Sequence, residues 1–428
     1  MYVTIGEDTY TKITGLSFAP ETDLTGGTLP INELQVDIFT TDDISIGEYV
    51  ELYDDLENLW AKYWIAYAEH IDAQTVRVRA QSALALLERQ KMDAIMLDND
   101  SVTDVLQDIF TALGGNAWAM DSSFNNETLT GFCPEQTARE RLQWVCFVLG
   151  AYVRTFFTDK IEILPIDDTE TLVPIDRTFW KPSVTYRDYV TAITAKVYSF
   201  ATGTPTTTDK WVKDGQGVVY IQTESTVTLT NNAAPAAAPE NVITVDNATL
   251  LNANNVSGVL SHLAQYYFKR AELDMDIIDN ADVEPGDRII AYADEDTLLT
   301  GFVQSATFSF GVQARAKLRL LGVDTKAGAK LVILYLWEET QIGKAEFTFP
   351  VGYSYAIQNP YIDSSMNGHR YIFRPERAQC TGTVAQGGST VEEPCHVALD
   401  LYEGVLHVIS VDGVTVDSSG DYAIGVIA

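Results

Sequence analysis

Cysteine, histidine and positive charge are scarce in this chain of 428 residues. Its four cysteines, Cys133, Cys146, Cys380 and Cys395, are too few for a disulfide scaffold. The five histidines, His70, His262, His369, His396 and His407, form no H-x-H pair, no H-E-x-x-H motif and no H-x-x-x-D cluster. A zinc peptidase needs ligands at such spacings, so that class has no support. Cys395 and His396 are adjacent, and adjacent strand residues point to opposite faces, which argues against a thiol dyad or a metal site shared with Cys380. No G-x-x-x-x-G-K-[ST] loop and no G-x-S-x-G elbow occurs. Acidic pairs such as Glu392-Glu393 are expected by chance among 60 carboxylates, so a glycosidase has no support either. The chain is read as a non-enzyme, with no catalytic residue, no metal and no cofactor.

Basic residues number 28 against 60 acidic ones, a net charge of −32. Nucleic-acid binding is driven by Lys and Arg neutralising phosphates, so such a surface repels nucleic acid, and it repels anionic lipid headgroups as well. The acidic residues are spread along the chain rather than gathered in a tail, so disorder is not implied. No apolar run approaches the length of a membrane span, and no stable membrane insertion is expected. The opening Met1-Tyr2-Val3-Thr4-Ile5 has neither a basic start nor an apolar segment, so synthesis in the cytoplasm is expected.

What the chain does contain is a duplication. Glu33-Leu34-Gln35-Val36-Asp37-Ile38 matches Glu272-Leu273-Asp274-Met275-Asp276-Ile277 at an offset of 239 residues. Without a gap, Gly47 to Asp55 then matches Gly286 to Asp294. Identical pairs are Glu33/Glu272, Leu34/Leu273, Asp37/Asp276, Ile38/Ile277, Asp43/Asp282, Gly47/Gly286, Tyr53/Tyr292 and Asp55/Asp294. An unbroken register over two strands and their connection means that one β-unit occurs twice. Leu34, Val36 and Ile38 alternate with polar residues, as do Leu273, Met275 and Ile277, which marks strands. Each copy closes with another alternating run, Thr75–Ala80 and Ala314–Leu320. Several short antiparallel strands per copy suggest a small barrel or sandwich.

A smaller repeat lies between the copies. Leu106-Gln107 and Leu113-Gly114 recur as Leu142-Gln143 and Leu149-Gly150, offset by 36. Val102, Val105, Leu106, Ile109, Phe110 and Leu113 form one apolar stripe, and Ala138, Leu142, Val145, Cys146 and Leu149 form another. Ser101 with Asp104 and Thr137 with Glu140 read as capping boxes, and Gly114 and Gly150 as helix stops. Strands follow each helix, giving an α+β unit. Residues 183–230 alternate, are Thr-rich, and read as strands feeding the second β-copy. Ala233–Pro239 is a loop or linker, and Val256, Val259, Leu260, Leu263, Tyr266 and Tyr267 mark a helix leading into that copy. The expected fold is mainly β with an α+β insert. Its segments are 1–90, a first β-domain; 91–175, the insert; 176–327, a second β-domain with linker and helix at 231–270; and 328–428, a C-terminal β-domain.

Three stretches carry a family likeness: Leu29–Ile38 with Ile46–Val50, Ala138–Ile166 ending in Ile161-Glu162-Ile163-Leu164-Pro165, and Val283–Asp287 with Gly301-Phe302-Val303 and the closing strand to Gly322. Together they resemble the tail hub proteins of bacteriophages: the baseplate hub and late-control D family, the tail-associated hub of long tails, and the first part of type VI secretion spike proteins. The likeness covers about residues 1–325. It implies a homotrimer whose six similar β-domains form a ring, a symmetry adapter between a hexameric tail tube and the tail tip. It further implies the tube protein, a distal tail or baseplate ring protein and a tape-measure or tip protein as partners, and a place in the virion tail tip. The duplicated motif would form the ring, and acidic residues such as Asp37, Asp43, Glu48 and Asp55 with Asp276, Asp282, Asp287 and Asp294 would let DNA pass without holding it. An alternative is a host-surface or glycan-binding adhesin built on the C-terminal aromatics, Trp337, Phe347, Phe349, Tyr353, Tyr355, Tyr361, Tyr371 and Phe373. A second is the spike of a phage-derived secretion or injection system, although no needle-like repeat follows residue 330.

Overall fold

Alternation of apolar and polar residues decides the first seven strands. A computed structural model describes residues 1–114, 117–166, 169–172, 183–278, 283–294, 297–309 and 315–327, and beyond these the C-terminal strands given below. β1 (Tyr2–Ile5), β2 (Asp8–Tyr10), β3 (Ile13–Phe18), β4 (Glu33–Phe39), β5 (Tyr49–Tyr53), β6 (Leu59–Asp72) and β7 (Thr75–Gln81) are antiparallel, in the spatial order β3-β4-β7-β6-β5-β1-β2. β4 faces β7 with Leu34 opposite Ala80, Val36 opposite Val78 and Ile38 opposite Val76, all buried. A slip of one residue would turn this whole set to solvent, so burial pins the register.

The insert begins with the short helix α1 (Leu84–Leu87) and strands β8 (Lys91–Met92) and β9 (Ile95–Ser101). It continues through α2 (Val102–Ile109), β10 (Trp118–Met120), β11 (Thr128–Cys133), β12 (Gln136–Thr137), α3 (Ala138–Leu149), β13 (Ala151–Arg154) and β14 (Ile161–Pro165). Both expected stripes are buried: Leu106 and Ile109 from α2 and Leu142 and Val145 from α3 share one core. Helices this short are marginal in isolation, below the ~12–15 residues an autonomous helix needs, so packing holds them rather than propensity. α3 has the expected capping box, with Thr137 and Glu140 each accepting from the other's backbone, and Gly150 closes it at φ +65°. Two expectations fail at α2. The Ser101 side chain makes no cap hydrogen bond; Ser101 is still paired to Thr128 in the sheet, and the strand runs straight into the helix. Gly114 does not close the helix either. α2 ends before Phe110, a 3-10 turn covers Thr111–Leu113, and Gly114 ends that turn at φ +85°.

β15 (Glu170–Leu172) is followed by β16 (Ser183–Tyr186), β17 (Ala192–Thr202), β18 (Lys210–Lys213), β19 (Val219–Thr230) and β20 (Val242–Val245), then by α4 (Val256–Tyr267). Of these, β16 feeds the second β-copy by pairing with its first strand, and β15 pairs with β22. The rest of the 183–230 region departs from expectation. β17 to β20 make a sheet of their own, ordered β18-β19-β17-β20, and Ile193, Ala195 and Val197 of β17 pack into the insert core with Leu260 and Leu263 of α4. Alternation marked these strands but not their partners.

The second copy is β21 (Ala271–Ile278), β22 (Arg288–Asp294), β23 (Thr297–Ser309) and β24 (Arg315–Ala327), ordered β21-β24-β23-β22 with β16 outside β21. The chain divides into two compact units: residues 1–169, 183–288 and 301–323, and residues 170–182, 289–300 and 324–428. In the second unit, β25 (Lys330–Glu338), β26 (Glu346–Thr348), β27 (Tyr353–Ile357), β28 (Arg370–Pro375), β29 (Thr381–Val384), β30 (Ser389–Val391), β31 (Val397–Tyr402), β32 (Val405–Val411) and β33 (Val414–Thr415) form two sheets, β27-β25-β28-β31-β32-β33 and β26-β29-β30. The expected hairpin around Tyr402 is the β31–β32 pair. The protein is mainly β with an α+β insert. Among the described residues no helix is long and apolar enough to cross a membrane.

Candidate functional site

The two repeated segments occupy the same places in two sheets. β4-β7-β6-β5 in the first copy and β21-β24-β23-β22 in the second share one strand order, with β3 and β16 on the outer side of β4 and β21. Leu34 and Ile38 are buried in the first, as are Leu273 and Ile277 in the second. Gly47 and Gly286 both take positive φ, +98° and +110°, where a side chain is strained. Each glycine starts the same backbone ring. Gly47 N–H donates to Ile65 and Ile65 N–H to Glu48; Gly286 N–H donates to Val303 and Val303 N–H to Asp287. Ile65 and Val303 are therefore equivalent positions.

The repeated polar residues are held within their sheets. Asp37 accepts two bonds from the Arg77 guanidinium, each 2.8 Å, and its counterpart Asp276 lies opposite Lys317 on β24. Glu33 accepts from Gln81 at 2.9 Å, while Glu272 is held by Arg187 and Arg319. The Tyr53 ring stacks on Tyr2, centroids 5.1 Å apart, and its hydroxyl donates to Glu51. Burial and that carboxylate push the Tyr53 phenol up to about 12. Asp55 is exposed and paired with the N-terminal amine. Among the acidic candidates, Asp43 and Glu48 are exposed, Asp43 lies against His70, and Asp287 caps its own turn by accepting from Glu284 N–H. Tyr292 and Asp294 lie on β22, but their side chains, like the whole of Asp282, fall outside the described residues.

The copies differ in what covers their glycine turns. A Cβ on Gly286 would sit 2.6 Å from the Tyr152 ring, because this turn is docked on the β13–β14 hairpin. Beside it, Arg154 bridges Glu162 of that hairpin and Glu284 of the turn. Burial holds the Glu284 carboxyl above its ordinary value, against the pull of Arg154. The equivalent turn of the first copy is open: Gly47 has only Trp64 within 4 Å of such a Cβ, and Ile46 is 63% exposed.

Sequence patterns missed the junction between the copies. The segment after β3 runs antiparallel along the far half of β23, Phe18 opposite Phe308 and Glu21 opposite Ser305. Ala306 N–H donates to Pro20 at 3.0 Å and Thr22 N–H to Gln304 at 2.9 Å. Trp60 and Phe157 pack edge-on against the Phe308 ring at 4.9 and 5.8 Å, and Phe18 stacks on it at 5.9 Å. One continuous sheet thus crosses both copies.

Among the described residues no group of three or more His, Cys, Asp or Glu is placed to hold a metal ion. Cys133 and Cys146 are buried thiols, and burial pushes them up to about 11 and about 12. His262 lies 2.7 Å from the Leu24 carbonyl. A cleft of about 650 Å³ is lined by Asp98, Tyr198, Phe200, Glu224 and Asn252, and its Glu224 is engaged by Lys210 and Gln222. Cys380, Cys395 and His396, and the side chains of the C-terminal aromatics from Trp337 to Phe373, lie outside the described residues.

No protein-family model matches the sequence, and no curated protein matches it. Solved structures do match the fold. The tail protein from Neisseria meningitidis MC58 aligns with a TM-score of 0.53 at 12% identity, over 75% of this chain and 95% of its own. The 43 kDa tail protein of prophage MuSo2 from Shewanella oneidensis aligns with a TM-score of 0.51 at 12% identity, over 74% and 97%. The chain has the fold of these phage tail proteins.

Proposed function

We propose that this protein is the structural hub of a phage, or phage-like, tail tip: a homotrimer that adapts the six-fold tail tube to the three-fold tip. One observation carries the reading. A single chain holds two β-units with the same strand order and the same hydrogen-bonded glycine turn, joined in one sheet. Three such chains supply six similar units, and a ring of alternating copies satisfies both symmetries only if the copies share a shape. Tail proteins of the same fold support the setting, a virion tail, and the sharing of that assembly with other tail proteins. The tube protein, the distal ring and the tape-measure or tip protein are the partners this role calls for. The role is mechanical and needs no catalysis. The net charge of −32 suits a channel that repels DNA in transit.

The test is the native mass of the full chain across a range of concentrations, alone and with tail tube protein, followed by imaging of whole tails. Three times 47.2 kDa, and six β-densities in a ring below the tube, are expected. A stable dimer that persists in the presence of tube protein would overturn the reading.

A further inference from the structure

β6 outruns the strand beside it. β5 pairs with β6 only between Leu59 and Trp64, and the Gly47–Ile65 ring ends that pairing. From there to Asp72, β6 keeps β7 on one edge; among the described residues no strand lies along the other. The matching stretch of the second copy is filled. Past Val303, the equivalent of Ile65, residues Gln304–Phe308 are covered by Phe18–Thr22 of the same chain. Phe18 sits opposite Leu34 on β4; the residue opposite Leu273 on β21 is Val184. Val184 begins the corresponding covering segment, Val184–Asp188. Among the described residues β16 is the last strand of its sheet on that side, and Tyr186 is 63% exposed. The molecule therefore carries a seam that is closed once, internally, and both halves of the same seam left open.

We infer that Val184–Asp188 of one copy of this chain adds as an antiparallel strand to Ala66–His70 of the next copy. Transferring the register of the internal seam sets Val184 opposite His70, Thr185 opposite Glu69, Tyr186 opposite Ala68 and Arg187 opposite Tyr67. The occupant is a second copy because each open edge is the structural counterpart of an edge that this same chain already fills. Unpaired strand edges bind by main-chain hydrogen bonds, and head-to-tail use of two different edges generates a ring. Closure at three chains rests on the hub reading; the seam itself rests on the two open edges.

Two chains with one added cysteine each test it, Glu69→Cys and Thr185→Cys, mixed at the highest soluble concentration and oxidised with copper phenanthroline. Opposed residues on paired strands lie within the ~4.4–6.8 Å Cα spacing a disulfide needs. The expected result is a disulfide peptide joining positions 69 and 185 in the mixture, absent when either variant or the parent chain is oxidised alone. Ala68→Pro added to the first variant removes the N–H equivalent to that of Ala306, and should abolish the cross-link with the far-ultraviolet circular dichroism unchanged. No 69–185 peptide, or 69–69 and 185–185 peptides in its place, overturns the seam. Native mass separates the two readings. A trimer without the cross-link keeps the hub and sinks the seam, and the cross-link in an assembly that is not a trimer keeps the seam and sinks the hub.

Discussion

Gly47 and Gly286 offer a paired perturbation, because they share a backbone conformation and differ in surroundings. Both hold positive φ, so replacement by alanine costs each copy roughly 1–2 kcal/mol of backbone strain. At Gly47 the cost should stop there, since the new Cβ would find Trp64 carbons at 3.5 and 3.7 Å, ordinary contact. At Gly286 the Cβ would meet three atoms of Tyr152 at 2.6, 2.6 and 2.8 Å. Tyr152 is buried among Leu24, Tyr266, Phe302 and Leu321, so its ring has no free direction to move. Overpacking of this kind adds about 1–3 kcal/mol. Gly286→Ala should therefore destabilise by about 2–5 kcal/mol in urea denaturation, against about 1–2 for Gly47→Ala. Removing the ring should relieve the clash: in a double-mutant cycle Gly286→Ala with Tyr152→Ala should cost less than the sum of the two, by about 1–3 kcal/mol. Equal costs at the two glycines, or an additive cycle, would refute the claim that the second turn alone is docked on the insert.

Other outcomes follow from the same structure. Thr137→Ala should lose about 0.5–2 kcal/mol with its capping box, whereas Ser101→Ala, which loses no cap bond, should stay near parent stability in the same melt. The Glu284 carboxyl is raised by burial, so the stability it contributes is fully present below its ordinary 4.5 and is lost as pH rises through its higher folded value. Glu284→Gln should remove that loss and flatten the stability curve between pH 4.5 and neutrality, measured by denaturant titration at a series of pH values. The Cys133 and Cys146 thiols, buried and pushed up to about 11 and about 12, should stay unalkylated by iodoacetamide in the native chain at pH 8. Peptide mapping that found either one labelled before denaturation would contradict their burial.

The duplication was legible because the residues that repeat are the ones a strand register and a turn cannot do without. Leu34 and Leu273 point inward from equivalent strands, and Gly47 and Gly286 supply φ values that other residues resist. The helix stripes were legible for the same reason: burial of one face leaves a period. The junction of Phe18 with Phe308 leaves none, since its partners are far apart in sequence and their contact depends on how two sheets meet. The strands of 192–230 were visible, but alternation says nothing of which core their inner face joins; Ile193 and Val197 went to the helices of the insert. The cap at Ser101 failed because a strand runs straight into the helix there: Ser101 is paired to Thr128, a neighbour no spacing rule reads.

The same distinction bears on where the negative charge acts. Of the acidic residues that repeat within strands, Asp37 is paired with Arg77, Glu272 is held by Arg187 and Arg319, and Asp276 lies opposite Lys317. Those in the connections of the first copy, Asp43 and Glu48, are exposed, and Asp55 is 87% exposed beside the chain's own amine. The exposed connections are, on the hub reading, the first place to look for a wall that repels DNA. On the hub reading, Asp43→Asn with Glu48→Gln should slow DNA ejection from assembled tails most at low salt, where repulsion reaches furthest, and leave the melting of the isolated chain unchanged. Asp37→Asn should do the reverse, lowering the melting temperature by breaking a two-bonded guanidinium pair while ejection stays normal. An ejection defect confined to Asp37→Asn would move the channel surface from the loops to the sheet.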